Sequence, residues 1–211
     1  NHYIMKTLLA AIGIIVLLGV GAFWIKELLG PPPKPLTRPE RAITIIEGWS
    51  LRDIAAYFER EGVMTRTDLY AITGEPARRA SGIWDELMTD KPVKLSLEGY
   101  LFPDTYRIYT STTPEAVVRR LLANFDAKAR PELEKLPAGR SLHEVLTMAS
   151  IIEAEVPKDE DRRKVADILW RRLDAGWALQ VDSSVGYVTG HDRERSTAKD
   201  LKTDSLWNTY K

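Results

Sequence analysis

The sequence predicts an α+β fold attached to one N-terminal membrane-spanning helix, and three features predict it. There is an uncharged apolar run near the start, a set of short β-rich segments among capped amphipathic helices, and a pair of later helices joined by a short connection. The expected organisation is an anchor over residues 1–29, a proline-rich linker over 30–41, a small subdomain with its connector over 42–90, and a mixed α/β domain over 91–211 that contains the helix pair.

The anchor rests on residues 7–25, 19 positions without a formal charge. A helix of that length rises roughly 28 Å, about one hydrocarbon core. Lys6 and Lys26 bracket the run, and Trp24 stands where interfacial aromatics gather. A cleaved export signal is the alternative, although its apolar stretch would exceed the usual ~7 to 15 residues. Both readings export the chain beyond Ile25. The segment Gly30-Pro-Pro-Pro-Lys-Pro lacks backbone donors for a sheet and should run as an extended spacer.

Residues 42–47 are short and β-branched, Gly48 turns the chain, and Ser50 with Asp53 forms a helix-starting pair. Leu51, Ile54, Ala55 and Phe58 then recur at helical spacing until Gly62, and Thr67 can cap a second short helix containing Leu69 and Ile72. This strand-helix-helix unit, residues 42–74, resembles a LysM-type module; a plain packing subdomain fits the same pattern. Residues 83–94 are expected as connector, and residues 95–109 mix β-formers with Gly99 and Pro103, which favours strand and turn. Thr113-Pro114-Glu115 opens a helix whose Val117, Val118, Leu121, Leu122 and Phe125 make a core-facing stripe.

Composition excludes several functions. Lys+Arg and Asp+Glu both total 30, so there is no basic surplus for a nucleic-acid partner. The absence of cysteine removes disulfides and zinc-thiolate sites, and His2, His143 and His191 are not spaced as a metal pair. No metal or cofactor is expected.

Ser141-Leu-His-Glu144 is a capping box, so a helix should run from Leu142 to about Val156, where Pro157 stops it. At about 100° per residue, Leu142, Val145, Leu146, Ala149 and Val156 share one apolar stripe. Glu153 falls inside that stripe, whereas Glu144 and Glu155 fall on the polar side. Burying an ionised carboxylate is costly, so such a glutamate either meets a cation or holds its proton more tightly. A carboxyl group that keeps its proton can serve as a general acid. Glu153 is thus the expected proton donor, with a structural bridge to Arg162, Arg163, Arg171 or Arg172 as the alternative. A second helix over residues 159–175, with Val165, Ile168, Leu169 and Leu173 on one stripe and Gly176 after its end, should pack against the first as a hairpin.

Three ordered motifs, Leu97-Glu-Gly-Tyr-Leu-Phe-Pro-Asp-Thr-Tyr106, Met148-Ala-Ser-Ile-Ile-Glu-Ala-Glu155 and Leu179-Gln-Val-Asp182, resemble the YceG-like (MltG-type) endolytic murein transglycosylases. The resemblance covers nearly the whole chain and implies a transmembrane helix, a LysM-like subdomain and a catalytic domain in that order. Glu153 takes the place of the family's essential glutamate. Glu98, Tyr100, Gln180, Asp182, Asn208 and Tyr210 are expected on the substrate side, with Tyr187 in the same polar segment. Ser183-Ser184 stands where the family usually has Pro-Thr, and Trp207 where it has Tyr. The family also continues past the Asn208-Thr209-Tyr210 segment, so the catalytic domain is expected to be incomplete here.

The resemblance implies cleavage of the bond between N-acetylmuramic acid and N-acetylglucosamine in nascent strands, which ends their elongation. Glu153 would protonate the glycosidic oxygen and then take the proton of the muramyl C6 hydroxyl as that oxygen attacks C1, leaving a 1,6-anhydro end. The expected setting is the bacterial cytoplasmic membrane, spanned once, with the catalytic domain on the periplasmic side. Peptidoglycan strands and neighbouring glycan synthases of the penicillin-binding type are the expected partners. Two alternatives are a hydrolase that uses Glu153 with Asp182 or Glu155 as base, and a noncatalytic membrane-tethered peptidoglycan-binding or scaffold protein.

Overall fold

Apolar residues that alternate along two short segments bring them together as a sheet. In a computed structural model of the chain, strand β1 (Glu40–Thr44) pairs antiparallel with strand β2 (Thr105–Tyr109), with Glu40 opposite Tyr109 and Thr44 opposite Thr105. Ile43, Tyr106 and Ile108 point to the buried face, as the two-residue period requires. The described residues are 38–133, 135, 139–190 and 196–211, together with Met5, Val20, Gly21 and Trp24. Residues Pro39–Lys211 form one compact unit, separate from Asn1–Arg38.

Between the strands lie helices α1 (Leu51–Arg60) and α2 (Arg66–Thr73) and the single turn α3 (Trp84–Leu87). Both longer helices start with reciprocal caps. Ser50 and Asp53 close α1, as expected, but α2 is capped by Thr65 and not Thr67. The reason is spacing: Asp68 lies three residues after Thr65 and returns its carboxylate to the Thr65 amide, which leaves Thr67 inside the first turn. Helix α4 (Pro114–Lys128) follows β2, capped by Thr113, and its Val117, Val118, Leu121, Leu122 and Phe125 are all buried. These elements share the main core, in which Phe58, Leu69, Leu97, Tyr100 and Leu121 are almost fully enclosed.

Strand β2 lies in the segment assigned to the 91–211 domain, yet it completes the sheet of the 42–90 subdomain, and the main core runs through both. After the short turn α5 (Arg130–Leu133) come α6 (Leu142–Glu155) and α7 (Asp159–Asp174), within a residue or two of their expected limits. They form the hairpin around a smaller core of Met148, Leu169 and Val181, against which Ile151, Ile152, Val165 and Trp170 pack. The α7 stripe is only partly covered, because Ile168 and Leu173 remain 55% and 40% exposed. Helix α8 (Asp182–Thr189) and the 3₁₀ turn Asp200–Lys202 complete the chain.

The mixed α+β class is therefore what the structure shows. Among the described residues no helix is long and apolar enough to cross a membrane. The expected span over residues 7–25 lies outside them, save for Val20, Gly21 and Trp24, as does most of the proline-rich linker.

Candidate active site

Glu153 stands on the last turn of α6, and its side chain is exposed. This corrects the expectation that it faces an apolar interior. The helix has two packing partners in succession. Leu142 and Leu146 rest on the main core, but two turns later Met148, Ile151 and Ile152 turn toward α7. The face shared by Leu142, Leu146, Ala149 and Glu153 thus leaves cover as it advances, and Ala149 is already exposed.

The alternative of a structural ion pair does not hold either. Arg162 donates to the Val156 carbonyl and pairs with Asp159, Arg171 pairs with Asp167, and Arg172 donates to the Leu179 carbonyl and Gln180 Oε1. Among the described residues, no cation is bound to Glu153. Among the described residues the Glu153 carboxyl group has neither a hydrogen-bond nor an ion-pair partner.

The neighbouring carboxylates are committed. Glu155 accepts a hydrogen bond from the Ser183 amide at 2.8 Å and so caps the start of α8 from the end of α6. The Ser183 hydroxyl is buried without a partner among the described residues. Asp182 accepts a 2.6 Å hydrogen bond from the Tyr210 hydroxyl, which pushes that phenol up to about 12.

Thr209 joins the segment after α7 to the end of the chain. Its carbonyl takes the Gln180 amide at 2.9 Å, and its hydroxyl oxygen lies 3.0 Å from the Val181 amide and 2.8 Å from Ser184 Oγ. Gln180 is held in a left-handed conformation, φ 55°, with its side-chain oxygen on Arg172. Gln180, Asp182 and Tyr210 thus gather at the start of α8, beside the helix end that bears Glu153.

Two expected substrate-side residues sit elsewhere in the bonding scheme. Tyr100 is 0% exposed, its hydroxyl 3.1 Å from His143 Nδ1, so it braces α6 from within the core. Asn208 is also buried, and its amide donates to the Leu201 and Thr203 carbonyls while its oxygen accepts from the Tyr210 amide. It shapes the turn that presents Tyr210. Glu98 accepts from the Leu51 amide at 2.7 Å and from the Tyr187 hydroxyl at 3.1 Å, which ties the first motif to both α1 and α8. The roles of Thr209, Ser184 and Arg172 went unseen in the sequence, since each bonds to a partner on a different segment of the chain and leaves no local pattern. Among the described residues, no cluster of His, Asp and Glu could hold a metal ion.

The YceG-like family pattern matches residues 25–211. A Bacillus subtilis (strain 168) protein named endolytic murein transglycosylase is 31% identical over 177 residues, which cover 80% of this chain and 49% of that protein. A Streptococcus pneumoniae (D39) protein of the same name is 31% identical over 206 residues, 89% of this chain and 37% of that protein. A crystal structure of a YceG-like protein from Listeria monocytogenes superposes with a TM-score of 0.64 at 30% identity, covering 81% of this chain and 59% of that one. The chain spans half or less of the length of the two curated relatives.

Proposed function

The chain belongs to the YceG-like family, and we propose that it is the glycan-cleaving part of an endolytic murein transglycosylase, with Glu153 as its acid/base. The observation that carries this reading is the pattern of commitment among the acidic groups at the site. Glu153, at the family's catalytic position, has an exposed side chain with no partner among the described residues, whereas Glu155 and Asp182 are engaged by the Ser183 amide and the Tyr210 hydroxyl. One free carboxyl group suits a reaction in which the substrate provides its own nucleophile.

In that reaction Glu153 gives its proton to the glycosidic oxygen as the bond to muramyl C1 breaks. The carboxylate then takes the proton of the muramyl C6 hydroxyl while C6 oxygen bonds to C1. The attack is intramolecular, so holding the sugar in the reactive pose supplies much of the rate. Gln180, Asp182 and Tyr210, which meet at the start of α8, are the groups proposed to hold it. A sugar ring laid over the exposed α6 face would also strip water from the site, which strengthens each polar contact there.

The unit of β1, α1, α2 and β2 is proposed as the LysM-like glycan-binding part, since its two strands and two helices enclose one core. An anchor over residues 7–25 would confine cleavage to strands near the periplasmic face of the cytoplasmic membrane, beside the synthases that extend them. Glu153→Gln in the full-length protein tests the assignment. Mass spectrometry should show 1,6-anhydro ends from the parent and a loss of at least about 100-fold in the variant, the scale of a missing acid/base. Retained cleavage removes Glu153 from the chemistry, and products with reducing ends would identify a hydrolase.

A further inference from the structure

Helix α8 has eight residues, fewer than an isolated helix needs to persist in water, so its orientation must come from its contacts. Its N-terminal end is held by Glu155 and Thr209. Further along the helix, Tyr187 reaches residues far away in sequence. The Tyr187 hydroxyl donates to Glu98 Oε2 at 3.1 Å and accepts the Ala77 amide at 3.1 Å, while the Arg52 guanidinium lies 5.1 Å from the ring centre.

Each partner belongs to the sheet-and-helix unit. Glu98 accepts through its other oxygen from Leu51, the first residue of α1, where the helix dipole favours a carboxylate. Ala77 is kept in a left-handed conformation, φ 55°, a region that disfavours any residue with a Cβ. Its amide is aimed at the phenol oxygen all the same. A strained residue, a charged acceptor and an aromatic side chain buried over most of its surface, with its phenol raised by burial, thus converge on one hydroxyl group.

We propose that Tyr187 is a positioning residue, whose hydroxyl group locks α8 to the start of α1 and thereby fixes where Asp182 and Tyr210 stand relative to Glu153. The proposal rests on the transglycosylase reading above for its effect on rate, though not for its effect on α8. Tyr187→Phe removes only the hydroxyl. Glu98→Gln keeps an acceptor for Leu51 and removes the charge that Tyr187 addresses.

Both variants and their combination are compared in the full-length protein, with anhydro-end formation measured against glycan concentration. Tyr187→Phe removes both hydrogen bonds of the hydroxyl and should lower kcat at least about ten-fold, with KM within about two-fold of the parent. The double variant should be no slower than Tyr187→Phe alone, because the hydrogen bond that Glu98→Gln alters is already absent without the Tyr187 hydroxyl. A kcat within about two-fold of the parent, a fall that tracks loss of folded protein, or additive losses would overturn the proposal. Amide hydrogen exchange supplies the reading that does not need activity. Amides of residues 183–189 should exchange about ten-fold faster in Tyr187→Phe, with those of α6 unchanged. If the parent forms no anhydro ends, the reaction assigned above fails and the exchange result alone decides the lock: unchanged α8 exchange refutes it.

Discussion

Glu155 separates a one-carboxylate mechanism from a two-carboxylate one, because the activity of Glu155→Gln is expected to differ between the two cases. In the structure its carboxylate caps α8 through the Ser183 amide at 2.8 Å. Glu155→Gln keeps an oxygen acceptor there and gives up the charge, and an exposed charge at a helix N-terminus is worth about 0.3 to 1 kcal/mol. Because Glu155 is exposed, solvent screening puts the loss at the low end, about 0.3 kcal/mol. Glu155→Ala also removes the cap, for a total near 1 kcal/mol. With a urea slope of about 2 kcal/mol/M, the midpoint should drop about 0.15 M for Gln and about 0.5 M for Ala. Unfolding followed by circular dichroism measures both. Cleavage by the full-length Gln variant should stay within about three-fold of the parent, since no proton passes through this group in the proposed reaction. If Glu155→Gln proves as inactive as Glu153→Gln, Glu155 is a second acid/base group and the hydrolase reading takes over.

Two further outcomes test the framework. Gly99 has φ +81°, and a Cβ there would lie 3.3 Å from Leu146 Cδ2 on α6, whereas Gly48, at φ +74°, has nothing within 4 Å. Both alanine variants should lose about 1 to 2 kcal/mol to backbone strain, but Gly99→Ala should unfold at distinctly lower urea because Leu146 must also yield; equal midpoints would show that the two elements are not in close contact. Asp104 is held down to about 2, first by the hydrogen bond from Lys128, then by those from Asn124 and the Thr105 amide. A folded-state value below the ordinary 3.8 means that the unfolded chain binds the proton first as pH falls. Asp104 therefore contributes stability above about pH 4 that is lost between about pH 4 and 2, and urea midpoints for Asp104→Asn should fall less over that interval than those of the parent.

The sequence made the helices legible wherever a cap and an apolar stripe agreed. Ser50, Thr113 and Ser141 start their helices where their spacing to Asp53, Pro114 and Glu144 indicated. In each case the stabilising partner lies within one turn, so a local pattern contains the whole interaction. Helix α8 is different. It opens with Asp182-Ser183-Ser184 and includes Gly186, residues that prefer turns and caps to helix interiors. What makes it a helix is distant in sequence: Glu155, Thr209, Glu98 and Ala77 all bond to it across the fold.

The same distinction explains Glu153. Helical periodicity assigns one buried direction to a whole helix, which holds when a single surface covers it. Helix α6 meets the main core through Leu142 and Leu146 and then α7 through Met148, Ile151 and Ile152, so its buried direction rotates between its second turn and its last. Glu153 is left uncovered by that rotation. The proposed reaction on a glycan strand needs such an uncovered turn, because a carboxyl group sealed under Leu146 could not reach a glycosidic oxygen. Helical register therefore picks the residue for a reason the structure removes, and the family motif picks it for one that the structure leaves intact. A proton donor here depends on what covers that turn during catalysis, and a bound sugar ring is the cover that the proposed reaction itself brings.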